Sequence, residues 1–232
     1  MPKKRFFCKD NSGYIAILLC ALIPTLFFSV KYVLDLNTKH NVNLEKNLSE
    51  KSKESKKKSK ELIEITHIFE PVFDKNSKIL ILGTIPSPKS REYGFYYGHP
   101  QNNFWRVLLT IFNDSAASVI TTTTTITIEE KRRFLLQNKI ALWDVLHSCQ
   151  IYGAEDGSIK NPVANDFSKI LADSDIKAIF TTGVTATKIY NKYCFEKTGI
   201  KTIYLPSTSP ANRKYYNFGN LVKEYKVIKK YL

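Results

Sequence analysis

The chain has 232 residues, 43% of them apolar and 24% charged, enough for one folded domain plus an appendage, which excludes a disordered or fibrous protein. Its formal net charge of +14 suits an anionic partner without separating nucleic acid from lipid; residues 1–60 hold 13 Lys/Arg against 5 Asp/Glu and residues 61–232 hold 22 against 16. The four cysteines, Cys8, Cys20, Cys149 and Cys194, form no CxxC pair, and His147 beside Cys149 has no companion ligands, so no metal site or disulfide framework is expected.

The first element is an uncharged run between Asp10 and Lys31, interrupted only by Pro24. Read as a helix, it approaches the span of a bilayer. Three readings stay open: a retained membrane anchor through residues 14–30, a signal peptide that lacks a clear small-x-small cleavage site, or an extension without function. Basic residues on both flanks leave its topology open. Residues 1–40 thus form an apolar segment, and residues 41–61, with Lys56-Lys57-Lys58, read as a charged, solvated linker.

From Leu62 to Leu232 short apolar runs alternate with amphipathic ones. "KILILGTIPS" predicts a buried strand ending at Gly83, "FWRVLLTIF" a helix, Thr121 to Thr125 a low-complexity loop, and "EEKRRFLLQN" a helix entered through an acidic turn. "KIALWDVL" follows as a second strand, then "NDFSKILADS" as a helix capped by Asn165 or Asp166. "IKAIFTTG" is a third strand, "VTATKIYNKYCF" a helix, "KTIYLPSTSP" a fourth strand, and "YYNFGNLVKEYKVIKKYL" a terminal helix. Strands separated by helices predict a three-layer α/β/α domain around a four-stranded parallel sheet, with the ligand site at the strands' carboxyl ends.

Four loops meet at that edge: "GTIPSPKSREYGFYYGHPQN", "DVLHSC" with "YGAEDGSIKNP", "TTGVT" and "LPSTSPAN". The chain has no GxGxxG after the first strand and no GxxxxGK[ST], GxSxG or HExxH, which removes the usual cradles for dinucleotides and nucleoside triphosphates, the hydrolase nucleophile elbow and the zincin helix. What remains is an aromatic, amide-rich pocket on a basic domain. Rings can sandwich a nucleobase, amides can read its edge, and basic residues at the rim can hold the backbone.

The ordered set "LGTIPSPKSREYGFYYGHPQNNFW", "ALWDVLHSC", "SIKNPVANDF", "IFTTGVTA" and "LPSTSPAN" resembles the DNA-deoxyinosine (hypoxanthine) glycosylase family of the uracil-DNA glycosylase superfamily, from about Phe69 to Asn212. The resemblance implies a monofunctional glycosylase that hydrolyses the N-glycosidic bond of deaminated bases in DNA, releasing hypoxanthine from deoxyinosine. It would work as a cytoplasmic monomer without metal or organic cofactor, tethered or not to the inner face of a membrane. Enzymes of the same superfamily acting on uracil or xanthine, and a non-catalytic nucleic-acid-binding module, are the alternatives.

Two departures shape the expected chemistry. Ile85 stands where many relatives carry a polar, water-positioning residue, and the family's "HPxN" asparagine falls on Asn102, which is therefore the expected catalytic amide. Leu205 replaces the histidine with which uracil-excising relatives stabilise the departing anion. Asn102 competes with a role at the start of the helix near Phe104, for which Asn103 is the better cap. Gly83, Thr84 and Ile85 would shape the base pocket; Tyr96 or Tyr97 would stack on the base while the other packs inward; His99 would bond the base or a phosphate, or brace its loop. Ser87, Ser207, Thr208, Ser209, Asn212 and Arg213 would meet the DNA backbone, with Lys214 following, although "STSP" also suits a plain turn. Asp144 reads as a loop-bracing carboxylate, and Trp105 and Trp143 as core.

Overall fold

The structure is a computed structural model, and it describes residues 61–112, 126–153 and 155–232. The apolar segment of residues 1–40, most of the linker and the threonine run at 121–125 lie outside the described residues.

Four strands form the central sheet: β2 (Ile79–Gly83), β3 (Ile140–Asp144), β6 (Ala178–Thr182) and β7 (Thr202–Leu205), all parallel in the order β3-β2-β6-β7. β2 and β6 are buried along their whole length, as the middle strands of a sheet covered on both faces must be. Alternation along β2 divides the core. Ile79 and Ile81 face one cluster, built with the helices α2 (Phe104–Phe112), α3 (Ile128–Gln137) and α7 (Phe218–Tyr225). Leu80 and Leu82 face the other, built with α4 (Ser168–Asp173) and α5 (Val184–Tyr193). Two further short helices, α1 (Pro88–Glu92) and α6 (Phe195–Thr198), complete the set.

The expected three-layer α/β/α architecture is therefore present, with a second sheet added to it. β1 (Leu62–Thr66), β4 (Leu146–Tyr152) and β5 (Lys160–Ala164) form an antiparallel sheet in the order β1-β4-β5, and Ile65, Cys149 and Ile151 pack it onto the second cluster. "DVLHSC" is thus not a loop, and "SIKNP" is largely an edge strand. Alternation in "LHSCQIY" buries only Leu146, Cys149 and Ile151, and three apolar positions scattered among polar ones gave too weak a period to read as a strand.

The helix ends follow local chemistry. Thr127 and Glu130 form a reciprocal capping box at α3, and Asn217 caps α7. Asp166 accepts the Ser168 N–H at the start of α4, while Asn165 is buried and donates to the Asp144 carbonyl. The helix expected through Phe195 breaks at Cys194, and the terminal helix gives way to a 3₁₀ turn at Lys226–Tyr231. Burial pushes the Cys149 and Cys194 thiols up to about 11, in keeping with buried packing groups. Among the described residues no group of His, Cys, Asp or Glu is placed to hold a metal ion, and no helix is long and apolar enough to cross a membrane.

Candidate active site

The chain leaves β2 toward one side of the sheet and β6 toward the other, so a crevice opens between their carboxyl ends. A cavity of about 680 Å³ fills it, a size suited to a small ligand. It is lined by Gly83 through Ser87 after β2, by Thr182 through Thr185 after β6, and by Ser207 through Asn212 after β7. Tyr96, Tyr97, His99 and Asn102 complete the wall on the first loop. Every expected site residue except Arg213 thus borders one cavity.

Close approach explains the glycines. A Cβ on Gly83 would lie 2.2 Å from Asp144 Oδ1 and 3.0 Å from the Tyr97 hydroxyl, so only glycine lets both polar groups lie against the end of β2. Gly183 has φ +98°, and a Cβ there would meet Ser207 at 3.3 Å, which brings the β6 and β7 loops together.

The two tyrosines take different places. Tyr96 packs inward, its hydroxyl donating to the Glu70 carbonyl at 3.0 Å. Tyr97, at φ +52°, stacks one ring face on Phe104 with centroids 3.8 Å apart and an interplanar angle of 12°. Thr182 Oγ1 donates to the Leu82 carbonyl and so accepts the Tyr97 hydroxyl, at 2.8 Å. Burial holds that hydroxyl well above its ordinary pKa, so Tyr97 is a neutral plate, held by Phe104 and Thr182. Trp105 and Trp143 are core, each N–H donating to a backbone carbonyl, of Tyr96 and Phe69 respectively.

The side chain of Asn102, not that of Asn103, serves the start of α2, while the Asn103 carbonyl accepts the Val107 N–H of its first turn. Asn102 Oδ1 accepts the Phe104 N–H at 2.9 Å, which fixes the amide and leaves its NH₂ group and one lone pair for the cavity. Asn103 is buried, accepts from Arg106 and donates its own N–H to the Thr208 carbonyl. His99 Nδ1 accepts the Gln101 N–H, so its other nitrogen carries the proton and is left as a donor.

The β7 loop is tied to itself and to its neighbour. Ser207 and Ser209 accept backbone N–H groups and keep their hydroxyl protons to donate, and Asn212 donates to the Ser207 carbonyl. Thr208, expected at the DNA backbone, is instead buried at 1% exposure, and its carbonyl accepts the Asn103 N–H. Arg213 stands outside the cavity and donates to the Gln101 carbonyl at 2.8 Å, joining this loop to the "HPQN" segment.

The family model described as the uracil DNA glycosylase superfamily matches residues 70–232. The chain belongs to that superfamily. A Methanosarcina barkeri protein named hypoxanthine DNA glycosylase is 36% identical over 148 residues, which are 63% of this chain and 87% of the relative. A Methanosarcina acetivorans protein of the same name is 32% identical over 148 residues, 63% of this chain and 88% of its own. A solution NMR structure of a Methanosarcina acetivorans protein described as a uracil DNA glycosylase has a TM-score of 0.58 and 29% identity, covering 72% of this chain and 99% of that one.

Within this superfamily member three ionisable residues border or support the cavity that sequence reasoning left without a role in it. Asp144, at the end of β3, is 4% exposed and lines the cavity; its Oδ2 accepts from His67 Nε2 at 2.9 Å. His67 Nδ1 accepts the Phe69 N–H, which places the proton on the nitrogen facing Asp144. Asp144 Oδ1 accepts no hydrogen bond among the described residues. Asp156 enters from the turn between β4 and β5 and accepts the Thr84 hydroxyl at 3.0 Å. No signal marks His67, which lies 77 positions from its partner; Asp156 offered only an acidic residue in a glycine-flanked turn.

Proposed function

We propose that the chain is a monofunctional DNA glycosylase that binds a flipped deoxyinosine, hydrolyses its N-glycosidic bond and releases hypoxanthine, leaving an abasic site. The carrying observation is the cavity at the β2–β6 crevice, where a fixed tyrosine plate, an oriented amide and an inward carboxylate converge. The likeness to proteins named hypoxanthine DNA glycosylase supports the choice of base.

The base lies against the uncovered face of Tyr97, whose ring cannot turn while Phe104 and Thr182 hold it. Asp144 Oδ1 accepts an N–H from the base edge. Hypoxanthine carries a proton on N1, whereas adenine presents a lone pair there and is repelled by a carboxylate. His67 keeps Asp144 aimed by donating to its other oxygen. Asn102 meets the sugar side, where its lone pair and NH₂ group orient water and favour the positive charge that grows on the anomeric carbon. An amide is too weak a base to take the water's proton. Leu205 is buried and does not border the cavity, so no donor stands where a uracil anion would be stabilised.

The hydroxyls of Ser207 and Ser209, with Ser87 and Asn212, hold flanking phosphates, and Arg213 adds charge beside them. DNA is the partner. The chain acts in the cytoplasm as a monomer, with residues 14–30 as attachment to the inner face of a membrane; cell fractionation that leaves it wholly in the soluble pool rejects the attachment.

A labelled duplex with one deoxyinosine tests the activity. The full chain is expected to convert it to an alkali-labile site and to leave uracil and xanthine duplexes much less affected. Salt-sensitive binding without base release would make the chain a binding module instead.

A further inference from the structure

Asn102 cannot accept a proton and Ile85 cannot hold a water, so the hydrolysis lacks a base on the loops where the sequence suggests one. A carboxylate reaches the same cavity from elsewhere in the fold. Asp156 sits in the exposed 3₁₀ turn Asp156–Ser158 between β4 and β5, and its carboxylate borders the cavity and is bonded to buried Thr84, the residue before Ile85. Asp144 is placed differently, deep in the cavity with one oxygen committed to His67. The first therefore stands on the exposed side of the cavity, toward solvent, and the second on its buried side.

We propose that Asp156 is the catalytic carboxylate of this enzyme: hung from Thr84, it orients the attacking water and receives its proton, an inference that rests on the glycosylase reading above. As the C1′–N9 bond breaks, its electron pair leaves with the hypoxanthine ring. A lone pair of the water oxygen forms the new C1′–O bond, one water proton passes to Asp156, and the base anion takes a proton from solvent. Asp156 returns its proton to solvent and the site is restored. Before transfer, its negative charge also favours the cationic sugar.

The electrostatics agree with this placement. Burial raises the Asp156 carboxyl above the usual range, the Thr84 hydrogen bond opposes that rise, and the Asp144 charge adds to it. Tyr97 and Cys149 also sense its charge, and Glu155 and His99 border the same cavity. A base must be ionised to work, so the rate should fall as pH drops through this raised value.

The test is single-turnover release of hypoxanthine by the full chain across pH, with affinity measured on a duplex holding an uncleavable 2′-fluoro deoxyinosine. Asp156→Asn is expected to lower the plateau rate by about 10²- to 10³-fold and to abolish the acidic limb, with affinity and melting temperature kept. Asp156→Glu should restore part of the rate. Thr84→Val removes the bond that holds the carboxyl down, so its acidic limb should move to higher pH. Wild-type chain that releases no hypoxanthine overturns the glycosylase reading itself. Active wild type with Asp156→Asn within about threefold of it overturns only the role of Asp156, as does a loss matched by lost affinity or a lower melting temperature.

Discussion

The two sheets contribute differently to one cavity. The loops of the parallel sheet supply its neutral parts: the Tyr97 plate, the Asn102 amide, the hydroxyls of Ser207 and Ser209, and the glycines that let chains approach. The small antiparallel sheet supplies or supports its ionisable parts, with His67 one residue past β1 behind Asp144, and Asp156 between β4 and β5. The parallel sheet thus gives the cavity its shape and the Asp144 carboxylate, and the antiparallel sheet adds Asp156 and the His67 that holds Asp144; the two layers meet where Gly83 ends β2, beside Asp144. A mutation in the neutral loops should change fit, and one at Asp156 should change proton handling.

Gly83→Ala attacks the meeting point and should do most damage. Its methyl would fall on Asp144 Oδ1 and press the Tyr97 hydroxyl, so both layers must shift. Base release is expected to fall by about 10²-fold or more from misplacement, with about 1–3 kcal/mol of stability lost to overpacking, measured by single-turnover assay and urea unfolding. Asn102→Ala comes next, on the neutral side. It should cost about 10²-fold in rate while DNA affinity holds, and unchanged turnover would remove Asn102 from the mechanism.

Asp144→Asn probes the charged floor. The amide keeps the shape but replaces a charged acceptor, and loss of one charge-assisted bond predicts about 10- to 10²-fold slower hypoxanthine release with weakened preference over adenine. His67→Ala should act through Asp144, lowering stability by about 1–3 kcal/mol because a buried acceptor loses its donor. Tyr97→Phe should have the smallest effect. It removes the bond to Thr182 but leaves the ring stacked on Phe104, so about 1 kcal/mol of stability and a few-fold in rate are expected.

The same division explains what was legible in the sequence. Buried parallel strands read as continuous apolar runs, so "ILILG" and "AIFTT" announced themselves, and the rule that ligands sit at strand carboxyl ends located the loops. The antiparallel sheet carries a broken period, and "LHSCQIY" passed for a loop. The place of Asn102 at the cavity was legible through the motif that surrounds it. Its cap role was not, because Asn102 and Asn103 stand side by side and only the fold decides which oxygen meets the Phe104 N–H. His67 and Asp156 were illegible for a stronger reason: each acquires its role from a partner 77 or 72 positions away, which no local pattern encodes. Thr208 shows the converse, a polar residue in a polar loop that the fold nevertheless buries.

The most direct measurement is the release of free base from a duplex holding a single deoxyinosine opposite a normal base, run with the full chain in excess over DNA. The account predicts hypoxanthine in the supernatant and an alkali-labile strand at the lesion, with the matching adenine duplex untouched. Bound but intact deoxyinosine DNA would contradict it.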